Sequence, residues 1–520
     1  MRALKKEAIL LLVLPFLISG LHCARSVHEK EPDNNYPYGA DKLKPSQKFI
    51  GSFYSKAGTD IDYVYIAVNH PAMITGRLSA VKGVDSEILF SHMDETYPYK
   101  QVNDNKSSLY EKFGPFFIDS PGVIIALRPM QPANDEKYIH INYEFQYEIQ
   151  TPLPSMEIEA NDTLEQANPI FGNMARGYYN NALANNSIEK DFFYIDLPKA
   201  QKYRLSTSLS GTPGIDAVLR LYAGNGDTLL TVDDTAVGGK ENIFSYGVFG
   251  PTRMYFSVNS KDSKTSDARY YELQATAQLY EDKYELEPND VIREATPIKT
   301  NQIFGDFSNR QDVDYYKYFN ETLEPVNLSI EVAPASDDDI RLELFPQIKS
   351  LPIVFDDGGE GVSEGIAAWY IKPLETVYLK LSHKNQSGTG AYVLNALTSP
   401  VAANQEREPN NTRNTANSIS TNETFEGHIN PSNDIDYYRI KAGAQGKYNI
   451  DLESPLNCEM NVSILDSKGI KTEGKTASRS GENIFFQTIL DPGSYILVRC
   501  ENAGQALYKS LYRLEIKASE

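Results

Sequence analysis

Glu285-Leu286-Glu287-Pro288-Asn289-Asp290 and, downstream, Asp312-Val313-Asp314-Tyr315 set a pattern that the chain repeats. The first segment has three counterparts: Glu29-Lys30-Glu31-Pro32-Asp33-Asn34, Glu157-Ile158-Glu159-Ala160-Asn161-Asp162 and Glu406-Arg407-Glu408-Pro409-Asn410-Asn411. The four copies stand about 120–130 residues apart, which is a domain period and not a solenoid period. An alanine follows each copy (Ala40, Ala167, Ala295, Ala416), then a glycine (Gly51, Gly177, Gly305, Gly427). Next comes an acidic-x-Asp-aromatic step: Asp60-Ile61-Asp62-Tyr63, Glu189-Lys190-Asp191-Phe192, Asp312-Val313-Asp314-Tyr315 and Asp434-Ile435-Asp436-Tyr437.

Alternation continues beyond that step, as in Tyr315-Tyr316-Lys317-Tyr318-Phe319, and period two is the mark of a half-buried β-strand. Ala217-Val218-Leu219-Arg220-Leu221-Tyr222 leads to an Asn225-Gly226 hairpin signal. Units close on tyrosine-bearing strands such as Tyr271-Glu272-Leu273 and Tyr512-Arg513-Leu514-Glu515-Ile516. Beyond the N-terminal segment no long stretch carries a 3.6-residue apolar period. The expected class is all-β: four tandem jelly-roll-like antiparallel β-sandwich domains at 23–152, 155–280, 283–400 and 404–520, after a signal peptide at 1–22. Pro and polar clusters at 151–154, 281–283 and 399–405 mark short linkers, so the modules are expected to sit as beads with restricted hinges.

The chain has 520 residues, 41% of them hydrophobic, and a formal net charge of −20. So acidic a surface repels phosphate backbones and argues against a nucleic-acid partner. Arg2, Lys5 and Lys6 precede an apolar stretch at 8–18, too short to span a bilayer as a mature helix, and the chain is expected to be exported. Cys23 follows directly and resembles the acylated cysteine of a bacterial lipobox, although Gly20-Leu21-His22 depart from the usual Leu-small-small pattern. An ordinary signal peptide cleaved near Gly20 is the alternative. Cys458 and Cys500 form an even pair in one module, a disulfide candidate in an oxidising compartment, with two separate buried thiols as the alternative.

The motif set Glu-x-Glu-Pro-Asn-Asp, Gly, Asp-x-Asp-Tyr and a terminal Gly-x-Tyr-x-Leu strand resembles the bacterial pre-peptidase C-terminal (PPC) domain, whose relatives include the collagen-binding domains of clostridial-type collagenases. The resemblance covers nearly all of the mature chain and is weakest in the first copy. It implies a jelly-roll sandwich, and calcium where the acidic segment meets the Asp-x-Asp loop. The implied ligands in copy three are Glu285, Glu287, Asn289, Asp290, Asp312 and Asp314. In copy four they are Glu406, Glu408, Asn410, Asn411, Asp434 and Asp436. Copy two offers Glu157, Glu159, Asn161, Asp162, Glu189 and Asp191, and copy one Glu29, Glu31, Asp33, Asn34, Asp60 and Asp62. Two converging acidic segments supply the six to eight oxygens that calcium takes. The competing reading has Asn and Asp capping a turn, and the second Asp bonding the linker backbone, with no metal.

The seven histidines are scattered and contain no His-Glu-x-x-His motif. Gly361-Val362-Ser363-Glu364-Gly365 matches a nucleophile elbow, which requires a strand-turn-helix context. The acidic run Ser336-Asp337-Asp338-Asp339 reads as a solvated loop, with cation binding as the alternative. With four modules filling the chain, the expected function is non-catalytic: an outer-membrane lipoprotein tethered through Cys23, presenting sandwich faces to matrix protein, glycan or another envelope protein, with exposed tyrosines as anchors. An accessory subunit that docks or assists a separately encoded secreted protease is the alternative, and a hydrolase using Ser363 a remote one.

Overall fold

The computed structural model describes residues 26–519 except 31–32, 54–59, 71, 80–83, 93–97, 99, 104–109, 119–120, 131–140, 159–160, 180–189, 263–265, 309–310, 336–337, 385–389, 442–444 and 505–506. The signal-peptide segment and Cys23 lie outside the described residues. The chain divides into two compact units. One runs to Phe193 and adds Thr212–Ala217 and Ser257–Tyr271, and the other comprises Tyr194–Gly211, Val218–Phe256 and Glu272–Glu520.

In the second unit, the third repeat has nine strands: Thr296–Pro297, Gln302–Asp306, Val313–Phe319, Val326–Pro334, Ile340–Phe345, Ile353–Phe355, Glu364–Ile371, Thr376–His383 and Ala391–Pro400. Counted from the N-terminus, they pair as one sheet in the order 1-3-8-5-6 and another in the order 2-9-4-7. The nine strands of the fourth repeat, Asn417–Ile419 to Leu511–Ala518, pair in the same two orders. So do those of the first repeat, Asp41–Leu43 to Ile141–Gln150, in the first unit. There an additional strand, Ser26–His28, runs parallel to Lys48–Phe53. In the second repeat Lys202–Leu209 lies between Glu241–Phe249 and Ser266–Leu279, the place strand four takes between seven and nine elsewhere. The first repeat, whose sequence departs most from the pattern, therefore keeps its topology.

Period-two patterning explains the layering. In Val313–Phe319 the side chains of Asp314 and Tyr316 point inward and those of Val313, Tyr315 and Lys317 outward. The core of the third repeat is filled by Leu328, Leu342, Leu344, Leu379, Leu381 and Leu394, and that of the fourth by Ile450, Leu452, Val462, Ile496, Val498 and Leu514. Each such burial stabilises by roughly 1.5–3 kcal/mol.

Cys458 and Cys500 are joined in a disulfide, with Cα atoms 5.8 Å apart on neighbouring strands of the fourth repeat. The bond closes a loop spanning 42 residues. Loop-closure entropy then implies that Cys458→Ser/Cys500→Ser destabilises the fourth repeat by about 3–4 kcal/mol. Thermal melts with and without reductant check this, and an unchanged melting profile would refute it.

One expectation needs correction. Asp338 and Asp339 are not on a solvated loop, since each is only 7% exposed. Asp338 packs against Gly390, and its Oδ1 lies 3.9 Å from His383 Nδ1, so it is covered by the neighbouring segments. Ser363, the remote nucleophile candidate, precedes strand Glu364–Ile371 and not a helix, which is the all-β setting read from its sequence.

Candidate metal centre

The same clasp is built in all four repeats. The first Glu of the motif accepts the backbone N–H of the residue after the motif glycine. Asp306 donates to Glu285 at 2.7 Å, His428 to Glu406 at 2.6 Å, Tyr178 to Glu157 at 2.7 Å and Ser52 to Glu29 at 2.7 Å. A tyrosine of strand nine then donates its hydroxyl to the second Asp of the Asp-x-Asp step. These bonds are Tyr392 to Asp314 at 2.6 Å, Tyr512 to Asp436 at 2.6 Å, Tyr271 to Asp191 at 2.5 Å and Tyr143 to Asp62 at 2.5 Å. The ring lies against the motif glycine: a Cβ added at Gly51, Gly177, Gly305 or Gly427 would come under 3.0 Å from it. The glycine is thus required by close approach.

The four tyrosines were not anticipated as site residues. Their recurrence on the closing strand was visible, but not the partner across the sandwich.

In the third repeat Glu285, Asn289 and Asp314 are fully buried, Asp312 and Glu287 nearly so, and Asp290 is exposed. Glu285, Glu287 and Asp314 each bring one oxygen within 4.8 Å of the others, and so do Glu287, Asp290 and Asp312. Glu287 therefore joins five carboxyl groups into one constellation. With its amide nitrogen turned toward the acids, Asn289 donates to Asp314 at 2.9 Å and Glu287 at 3.3 Å.

In the fourth repeat Glu406, Glu408 and Asp436 converge in the same way. There Glu406 Oε2, Glu408 Oε1, Asp436 Oδ1 and both polar side-chain atoms of Asn410 are buried without a hydrogen-bond partner. Asn411 and Asp434, two further expected ligands, bond each other at 2.6 Å, and Asp434 also accepts the Asn430 N–H.

In the first two repeats the acidic segments are described only in part, and both polar side-chain atoms of Asn161, like those of Asn410, are buried without a hydrogen-bond partner. Asn34 donates to Asp62 at 3.0 Å, and Asp60 is buried. Asn161 is buried, and Asp162 is exposed. Glu31, Glu159 and Glu189, with the side chain of Asp33, lie outside the described residues.

Burial, and then the neighbouring carboxylates, push the carboxyls of Glu285, Asp314, Glu408 and Asp436 well above the usual range. Burial does the same at Glu406, followed by Asp434. Glu287 is raised to about 8, by burial and then Asp312, and burial raises Asp434 to about 7 and Asp312 to about 6. Burial lowers His428, beside Glu406, to about 4. Protons are one way to relieve such crowding and a divalent cation is the other. The converging donors are all oxygens, the set a hard cation such as calcium takes.

No family profile matches this chain, and no curated relative does. Among solved structures, the pre-peptidase C-terminal domain of a collagenase from Bacillus anthracis is 22% identical. That alignment covers 20% of this chain and 94% of that one, with a TM-score of 0.17. The triple-jelly-roll structure from an archaeal virus is 10% identical over 65% of this chain and 84% of that one, with a TM-score of 0.19. A chain of Sulfolobus Turreted Icosahedral Virus is 9% identical over 65% and 82%, with a TM-score of 0.16. The chain's own strands and sheet orders make it an all-β protein of paired, sandwich-like sheets.

Proposed function

We propose that this protein is a non-catalytic lipoprotein of the cell envelope, an array of PPC-like sandwich repeats that acts in binding or adhesion and takes calcium in its third and fourth repeats. The observation that carries the metal reading is the set of buried, unpartnered oxygens of Glu406, Glu408, Asn410 and Asp436. Buried polar atoms without partners are rare and each calls for a ligand or a role. Glu406, Glu408, Asn410 and Asp436 would hold the ion in the fourth repeat, and Glu285, Glu287, Asp290, Asp312 and Asp314 in the third. Bound calcium would neutralise the carboxylates and tie the acidic segment to the sandwich. Tyr392 and Tyr512 hold the second Asp in place, and Gly305 and Gly427 let those rings approach.

An adhesive face is suggested by Tyr36 and Tyr38. Their rings stack at 5.4 Å, Tyr38 is 89% exposed, and with Lys30 and Lys42 they border an open hollow of about 820 Å³. Tyrosines of this kind offer rigid amphipathic contact to a glycan or a matrix protein. Cys23 would carry the lipid, so Cys23→Ala should release the protein into the soluble fraction. A wild type that is already soluble would refute the anchor.

Calorimetric titration of calcium into the chelator-treated full chain tests the metal reading, and absence of binding would reduce the acidic segments to turn caps. A pH signature accompanies it. A carboxyl whose folded pKa is raised contributes stability below its unfolded pKa and loses it as pH rises through the folded value. For Glu287 that window runs from about 4.5 to about 8. The melting temperature of the calcium-free chain should therefore fall across this window, and calcium should restore it more at pH 8 than at pH 5. An equal calcium effect at both ends would count against the site.

A further inference from the structure

Strand seven is the edge of the four-stranded sheet, and in two repeats it already docks the repeat that follows. In the second repeat, Tyr246 forms a parallel bridge with Glu287 of the third. Gly247 N–H donates to the Glu287 carbonyl at 2.7 Å, and Glu287 N–H to the Ser245 carbonyl at 3.0 Å. Leu286 packs on Gly247. In the third repeat, the Asn430 side chain imitates a backbone partner. It accepts the Ala367 N–H at 2.9 Å and donates to the Gly365 carbonyl at 3.2 Å. Arg407, the counterpart of Leu286 in the motif, lies over Tyr370.

Strand register aligns these positions with the fourth repeat. Gly247, Tyr370 and Ile489 face Arg204, Asn327 and Lys447 on strand four. Asn242, Gly365 and Phe485 face Ser208, Glu331 and Asp451. Ile489 is 58% exposed and Phe485 57%, on an edge strand that pairs only with strand four. Ile484–Leu490 carries no charged residue in a chain of net charge −20. Two like-charged copies that repel each other over most of their surface can meet here on strands that themselves carry no charge. The strand is also self-complementary, because Phe485 and Ile489 lie symmetrically about Gln487.

We propose that Ile484–Leu490 is an interface between two copies of this chain. The two strands pair antiparallel about a two-fold axis at Gln487, placing Phe485 of each copy opposite Ile489 of the other. The pairing supplies backbone partners to the edge, and an aromatic side chain set against a β-branched one is a favourable cross-strand pair. Lys475 stands guard, its ammonium donating to the Phe485 carbonyl at 2.9 Å, so the lysine and a second strand compete for that edge.

Sedimentation of the full chain over a concentration series tests this. The wild type should show a monomer–dimer equilibrium. Phe485→Lys/Ile489→Lys, at exposed positions that leave the core intact, should weaken it at least about tenfold, and Lys475→Ala should strengthen it. Circular dichroism confirms that both variants fold. A wild type monomeric at every concentration overturns the proposal, and so does a dimer that the double variant leaves unchanged. Neither result depends on calcium, so failure here is distinguishable from failure of the metal reading.

Discussion

Gly305→Ala is expected to destabilise the third repeat by about 3 kcal/mol or more, although it adds one methyl group. That methyl would come under 3.0 Å from the ring of Tyr392. The ring has little room to retreat, being 1% exposed and packed on Phe307 at 4.9 Å. Its hydroxyl also donates to Asp314 at 2.6 Å and lies 2.6 Å from the hydroxyl of Tyr316. Overpacking a core costs roughly 1–3 kcal/mol, and leaving a buried acceptor without its donor costs about 1–3 kcal/mol more. Gly359→Ala is the control, because a Cβ there meets nothing within 4 Å. Trp369, the chain's single tryptophan and a core residue of the third repeat, reports that repeat's unfolding by fluorescence. If Gly305→Ala melts with the Gly359→Ala control, the clasp does not depend on the close approach.

Asp436→Asn should have opposite effects in the two metal states. Asp436 is fully buried, and its ionised form is penalised first by burial and then by Glu406 and Asp434. Without calcium at pH 8, the neutral amide removes that penalty and should raise stability by about 1 kcal/mol. With calcium it removes a ligand oxygen's charge and should abolish most of the fourth repeat's gain, which for the wild type is about 2.7 kcal/mol at a hundredfold excess over the dissociation constant. Calorimetry with calcium and with chelator separates the two states. A variant that is destabilised without calcium and still fully responsive to it would identify Asp436 as a cap and not a ligand.

Part of the site was legible along the chain. Glu-x-Glu and Asp-x-Asp place two acids two residues apart, and period two sends both acids of a pair to the same face of an extended segment, while the meeting of Glu285 and Glu287 with Asp314 is a tertiary contact between two segments. At Asp434 and Asn411, which stand at the expected positions, the two side chains bond each other at 2.6 Å. Spacing says which side a residue faces, not which neighbour reaches it first.

By itself the sequence determined the strand class, the repeat and the inward direction of the acids, because these depend on residues close together along one segment. Only the tertiary structure decided that Tyr392 and Tyr512, 78 and 76 residues beyond Asp314 and Asp436, supply the bonding hydroxyls. It alone showed that Asp338 and Asp339 are covered and that strand seven docks the next repeat. Those outcomes depend on a sheet order in which strand nine lies between strands two and four while strand seven is left at the edge. That order emerges from burying the whole apolar face of each sheet at once, a collective requirement that no single stretch of sequence displays.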